Sequence, residues 1–279
     1  MTIEDQSMYN KSLVNYQDGK RVVYPDFMHE KAHELWLNKL TADYWAVIYD
    51  GVVLDMNEIT AECNGECLDG PKNAQTPALP IDLFLKAPVE FFVNNNTDTT
   101  FWYMSEADQS QESTWYLPFI FGYKHGRYDY KTLSLNGTVE YNNMTYQQYN
   151  THNLYGHMQS MATHNFFTNK TQTKPIPTTD ERPFVVSRST APGSGAYTGH
   201  WLGVYPRDWS FMKWSISAIM NFNMFGIPFT GADICGTVGQ KDDEMCARWY
   251  QLAAFYPLAR NYFKADSMGD VQPDEPFRL

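Results

Sequence analysis

Positive charge is scarce in this chain. Its 279 residues carry 21 Lys and Arg against 32 Asp and Glu, a formal net charge of −11. With no basic stripe to neutralise phosphates, nucleic acid is excluded as a partner. Long apolar runs are missing too. The most apolar region, Trp214 to Phe229, is broken by Ser, Asn, Gly and Pro and is too short and polar to span a bilayer, so no membrane span is predicted. The opening Met1-Thr2-Ile3-Glu4-Asp5-Gln6 lacks the basic-then-apolar order of a signal peptide. Cysteine is sparse, with Cys63 near Cys67 and Cys235 near Cys246. Close pairs allow disulfides or free thiols, and Cys63 with Cys67 could form half a metal site. No second ligand pair lies at zinc-like spacing, so no metal is predicted, and no cofactor is implied. Internal repeats are absent as well.

What the chain does have is aromatic residues, at 16%, and sequons at Asn10, Asn95, Asn136, Asn143 and Asn169. Each is only an acceptor possibility, but together they suit a glycosylated protein of a secreted or lumenal setting.

The local pattern alternates helices with short strands. Ala32, Leu35, Trp36 and Leu40 predict one helical face, which leads into a strand at Val52–Asp55. Phe184-Val185-Val186-Ser187 and Gly226-Ile227-Pro228-Phe229-Thr230 read as further strand edges. The stretch Tyr149 to Gly156 forms either another edge or a helix start. Trp209, Met212, Ile216, Ile219 and Met220 recur at helical spacing behind Asp208, which fits an N-cap better than a catalytic acid. Asp242 and Asp243 precede a helix carrying Met245, Trp249, Leu252, Ala253 and Tyr256, and Pro257 helps to end it. Residues 70–115, with Pro71, Pro77, Pro80 and Pro88 and a polar tract, read as a long loop insertion.

Asp55 carries the functional signal. It passes from the β-branched run Val52-Val53-Leu54 into the polar loop Met56-Asn57-Glu58, and loops that follow buried parallel strands carry the chemistry of α/β barrels. A loop acid that caps the next segment is the plainer alternative.

The segment Asp55-Met56-Asn57-Glu58 resembles a signature of family 31 glycoside hydrolases, the α-glucosidase, sucrase and isomaltase group. The same family is followed in order and spacing by Arg188-Ser189-Thr190-Ala191-Pro192-Gly193-Ser194-Gly195, by Gly199-His200-Trp201-Leu202-Gly203, and by Gly231-Ala232-Asp233-Ile234-Cys235-Gly236. Arg248-Trp249 and the stretch from Phe255-Tyr256-Pro257 to Asn261 continue it. Tyr24-Pro25-Asp26-Phe27 and His152-Asn153-Leu154-Tyr155-Gly156 agree more loosely, so the resemblance leaves out only about residues 1–20 and 70–115.

That resemblance implies a retaining hydrolase acting on an oligosaccharide or α-glucoside. It makes Asp55 the nucleophile and places Met56, Arg188, Trp201 and Asp233 at the sugar. It also implies a disulfide between Cys235 and Cys246. Glu58 reads as a hydrogen-bonding partner within the loop. Read without the family, Arg188 is a buried partner for Asp55 or Asp233, Trp201 is core, and His200 is structural or supports the site from behind.

Several positions depart from the family. Its general acid/base is an Asp directly after Gly-His-Trp-Leu-Gly, and here Val204 stands there. A family Trp two residues ahead of the nucleophile is Val53, a Phe after Gly-Ala-Asp-Ile-Cys-Gly is Thr237, and a substrate-binding His is Tyr262. Retention needs a second carboxylate roughly 5–5.5 Å from the nucleophile to protonate the leaving oxygen, and valine cannot donate a proton. A catalytically inactive homologue that binds carbohydrate or a partner is therefore the alternative expectation.

The fold class implied is α/β, with residues 1–279 forming part of a (β/α)8 TIM barrel from about the fourth strand to the seventh or eighth. A complete barrel takes about 250 residues before insertions, so the chain reads as an excerpt that needs the missing barrel strands. An open half-barrel has unpaired edges and is expected to be unstable or oligomeric by itself.

Overall fold

The computed structural model describes residues 14–17, 20–60, 132–135, 137–168, 183–240 and 242–261. The segment 70–115, the pair Cys63 and Cys67, Tyr262, and the sequons at Asn10, Asn95, Asn136 and Asn169 lie outside the described residues. In chain order the elements are β1 (Val14–Gln17), β2 (Lys20–Val23), α1 (Glu30–Ala46), β3 (Gly51–Leu54), β4 (Thr138–Tyr141) and β5 (Met144–Gln147). They continue as α2 (Tyr155–Thr168), β6 (Phe184–Ser187), β7 (Gly199–Trp201), α3 (Trp209–Met224), β8 (Thr230–Gly231), β9 (Asp233–Ile234), α4 (Asp243–Ala253) and β10 (Arg260–Asn261).

The chain divides into two compact units. The smaller holds Met1–Asp26 and Ile59–His152. It contains the antiparallel hairpins β1–β2 and β4–β5. The second hairpin turns at Asn142 and Asn143, whose φ values of 51° and 60° lie in the left-handed region that asparagine tolerates. Asn143, a sequon residue, is exposed there. Thr132 donates its hydroxyl to the Ile59 carbonyl at 2.8 Å, and Leu133, Leu135 and Val139 are buried.

The larger unit, Phe27–Glu58 with Asn153–Leu279, is the α/β body. Its sheet runs β3-β6-β7-β8, every neighbouring pair parallel, and β9 pairs parallel with β10. Parallel pairing with helices between strands is what part of a TIM barrel requires, and no closed barrel forms among the described residues. The strands are short, and the two longest carry the β-branched pairs Val52-Val53 and Val185-Val186. Close strand packing fixes the glycines. A Cβ on Gly231 would come within 1.8 Å of the Leu258 carbonyl oxygen.

Three apolar clusters hold the helices down. Leu40 and Tyr44 of α1 meet Phe166 of α2, and Phe27 meets Met158 and Ala162 of α2. Trp36 crosses between these helices and donates to Thr163 Oγ1 at 2.9 Å. The inward stripe of α1 is therefore Trp36, Leu40 and Tyr44, and Leu35, expected on it, points outward at 48% exposure. Ile234, Cys235, Met245, Cys246, Trp249 and Ala253 form the third cluster under α4. The Cys235–Cys246 disulfide is present within it.

The helix starts follow the sequence. Asp208 caps α3, accepting from Ser210 N at 2.7 Å, and Asp242 caps α4, accepting from Glu244 N and Met245 N. Two strand boundaries move. The strand predicted at Val52–Asp55 spans Gly51–Leu54, leaving Asp55 one residue past its end, and the one predicted at Gly226–Thr230 begins only at Thr230. The Tyr149–Gly156 stretch resolves to helix, a turn at Gln148–Thr151 and a 3-10 turn at His152–Leu154 leading into α2. Among the described residues no helix is long and apolar enough to cross a membrane.

Candidate active site

Parallel strands deliver their carboxyl ends to one edge, and the register shows which residues arrive together. Leu54 pairs with Ser187, and Ser187 pairs with His200. One residue further along each strand places Asp55, Arg188 and Trp201 at the same level. The Arg188 amide donates to the Leu54 carbonyl at 3.2 Å, which continues the ladder to that level. Trp201 pairs with Gly231, and Asp233 pairs with Arg260 on β10.

Asp55 is exposed at this edge. The following residue, Met56, has φ 46°, a left-handed conformation that costs a non-glycine residue of order 1 kcal/mol or more. It too is exposed, at 58%. A sharp reversal directly after the strand holds Asp55 at the rim instead of burying it with Leu54.

Asp233 is the opposite case, with no exposed surface. Trp201 donates its indole N–H to Asp233 Oδ1 at 2.7 Å, and Arg260 Nε lies 3.6 Å from the same oxygen. The Arg260 guanidinium also sits 4.2 Å over the Trp201 ring. Burial pushes the Asp233 carboxyl up to about 6, against the lowering effects of Arg260 and the Trp201 hydrogen bond, and the Asp55 charge pushes it further the same way. That last effect shows Asp55 and Asp233 sharing one electrostatic neighbourhood. Asp233 Oδ2 has no hydrogen-bond partner among the described residues. Trp201 is thus both core, as its burial shows, and a hydrogen-bond donor to the acid.

Arg188 does not pair with Asp55 or Asp233, the partners its bare sequence context suggested. It bonds Glu58, Nε to Oε1 at 2.9 Å, because the turn after Asp55 brings residue 58 back over the end of β6. His200 is buried behind the sheet edge. It stacks on Phe222 at 3.7 Å, lies within hydrogen-bond distance of Thr190 Oγ1, and burial lowers its pKa to about 4.

Val204 lies three residues past β7 and is 48% exposed. In its neighbour Tyr205, burial first, then Tyr256 and Asp233, push the hydroxyl up to about 12. Asp208, bonded to the α3 N-terminus, is committed to its cap. Thr237 is buried with its hydroxyl 3.5 Å from the Tyr205 carbonyl, and Val53 is 45% exposed, so neither supplies an aromatic wall. Among the described residues no cluster of His, Cys, Asp and Glu is arranged to hold a metal ion.

Arg260 and Asn57 were not singled out as site residues from the sequence. Arg260 was visible only as part of the Arg-Asn pair that closes the Tyr256-Pro257 stretch, and its contact with Asp233 depends on the pairing of two strands far apart in sequence.

A parallel α/β sheet that brings Asp55, Arg188 and Trp201 to one level at its carboxyl edge has the form of a TIM-barrel domain. The sequence matches "Glycosyl hydrolases family 31 TIM-barrel domain" over residues 2–278, and the chain belongs to that family. It is 32% identical to the alpha-glucosidase of Aspergillus niger over 92% of this chain and 28% of the relative. It is 35% identical to the lysosomal acid alpha-glucosidase of Tetrahymena pyriformis over 92% of this chain and 26% of the relative. It therefore spans less than a third of the length of these relatives. Among solved structures, the fold is shared with a glucosidase II alpha subunit, at TM-score 0.60 and 20% identity over 96% of this chain and 21% of that one. It is shared also with a family 31 alpha-glucosidase of Bacteroides thetaiotaomicron, at TM-score 0.55 and 20% identity over 99% of this chain and 33% of that one.

Proposed function

We propose that this chain carries the sugar-cleaving edge of an α-glucosidase-like retaining hydrolase acting on oligosaccharides or α-glucosides. Asp55 is the nucleophile, and Met56, Arg188, Trp201 and Asp233 hold the sugar. The observation that carries the reading is the level shared by Asp55 and Arg188 at the carboxyl edge of the sheet, with Asp233 close enough to feel the Asp55 charge.

In the proposed reaction the Asp55 carboxylate attacks the anomeric carbon and forms a glycosyl ester as the leaving oxygen departs. Water then attacks the same carbon, loses its proton to solvent and releases the Asp55 carboxylate. Each step needs a proton moved at the leaving or attacking oxygen, and Val204 cannot move it. General acid–base catalysis is worth about 10²–10⁴-fold, so substrates whose leaving groups depart as stable anions are the ones Asp55 attacks alone. A second reading has its own observation. The exposed Val204, an aliphatic side chain that can donate no proton, favours a homologue that binds carbohydrate or a partner without turnover. The Cys235–Cys246 disulfide, the sequons and lysosomal relatives support a secretory-pathway location for the protein.

The test compares the full-length gene product with its Val204→Asp variant on an activated aryl α-glucoside and on maltose. Cleavage of the activated substrate by the Val204 protein, together with maltose activity gained by Val204→Asp, is the expected result. If both proteins fold and bind sugar but cleave neither substrate, the enzyme reading fails and the binding reading stands.

A further inference from the structure

The residues after Asp55 form a brace across to β6. Asn57 is 7% exposed and uses both ends of its amide: Nδ2 donates to Ser187 Oγ at 2.8 Å, and Oδ1 accepts from the Ser189 amide at 2.7 Å. Ser187 Oγ in turn donates to the Ser189 carbonyl at 2.8 Å. Glu58 takes the residue between these serines, through the 2.9 Å contact to Arg188 Nε. Residues 187, 188 and 189 are thus each gripped from residue 57 or 58. Gly203, at φ 92°, closes the other side, since a Cβ there would lie 3.4 Å from Arg188 Nε.

A guanidinium is a planar fork whose donors point in fixed directions. Bonding through Nε sets the plane of Arg188 and leaves its terminal nitrogens to face something else. Among the described residues Arg188 has no other side-chain partner, and Glu58 offers it a single oxygen. The brace also starts two residues after Asp55, so the nucleophile and Arg188 are set by one turn.

We propose that Glu58 is a positioning residue, which aims the Arg188 terminal nitrogens at the hydroxyls of a bound sugar, with Asn57 anchoring the turn that carries it. The inference rests on the sugar-binding reading of Arg188. Glu58 touches no substrate and acts only through that side chain.

A double-mutant cycle tests this in the full-length gene product, with Glu58→Leu, Glu58→Gln, Arg188→Ala and the Glu58→Leu/Arg188→Ala pair. The readouts are the Kd for a glucose-configured iminosugar by calorimetry, KM and kcat for an activated aryl α-glucoside, and Tm. Each of Glu58→Leu and Arg188→Ala is expected to weaken iminosugar binding about tenfold or more, as loss of a charge-assisted contact does. The double variant should bind within about twofold of Arg188→Ala, because Glu58 has nothing left to act through. Glu58→Gln keeps an acceptor oxygen and should restore most of the binding. Multiplying losses in the double variant, or wild-type binding by Glu58→Leu, overturns the proposal.

Arg188→Lys gives a check that needs no folded Glu58 variant. An ammonium cannot hold Glu58 by one edge and present a second fixed edge to a sugar, so Lys should bind about as poorly as Ala. Wild-type binding by Arg188→Lys overturns the proposal. If the unmutated protein neither binds the iminosugar nor turns over the aryl glucoside, the functional reading fails and takes this inference with it. If it does either and the cycle is additive, the inference alone fails.

Discussion

Acidification protonates two buried groups of the larger unit with opposite effects on stability. His200 stacks on Phe222 and is lowered from 6.5 to about 4 by burial. Its folded pKa lies below its unfolded one, so its contribution is fully present above pH 6.5 and is lost as pH falls towards 4. The loss amounts to about 3 kcal/mol over that window. Asp233 is raised from 3.8 to about 6, chiefly by burial. Here the folded state holds the proton more tightly, so stability is gained as pH falls through 6 towards 3.8, again by about 3 kcal/mol. The two windows overlap and the slopes oppose, so the wild-type protein should show little net dependence from this pair between pH 4.5 and 6. Urea melts of His200→Gln and Asp233→Asn at half-unit pH steps separate them. Relative to wild type, His200→Gln should become more stable on acidification. Asp233→Asn should become less stable, on top of a constant offset from leaving Arg260 without its carboxylate. If either variant runs parallel to wild type across the window, the burial argument for that residue is refuted.

Asp208→Ala removes the N-cap of α3 and should cost about 1 kcal/mol, read from urea melts, without moving the Kd for sugar. A change in sugar affinity would show that Asp208 does more than cap. Reduction of the Cys235–Cys246 disulfide, or Cys246→Ser, opens the link between two cysteines 11 positions apart that ties the Asp233 segment to α4, and should lower stability by about 2–3 kcal/mol in chemical denaturation. An unchanged midpoint under reductant would show that the buried packing around Trp249 alone holds that segment.

Much of this protein is decided locally. The caps at Asp208 and Asp242 need only a short polar side chain one residue ahead of an apolar-periodic run, and both formed where the spacing placed them. Asp55 at a strand end was legible for the same reason, because a β-branched run stops at a polar loop. The family motifs, in order and spacing, fixed the partial barrel and its members at the sheet edge. Val204 stands out in the sequence because the motif around it is otherwise intact.

What the tertiary structure decided is pairing. Helical spacing alone could not say which side of α1 faces inward, and packing against Phe166 selected Trp36, Leu40 and Tyr44 over Leu35. Arg188 lies 130 residues from the Glu58 loop in sequence, and only the parallel register of β3 and β6 brings them to 2.9 Å. Arg260 found Asp233 and Trp201 through β9 and β10 in the same way. Residue types set what each side chain can do, and long-range strand register, which leaves no local trace in sequence, set what each one does it to.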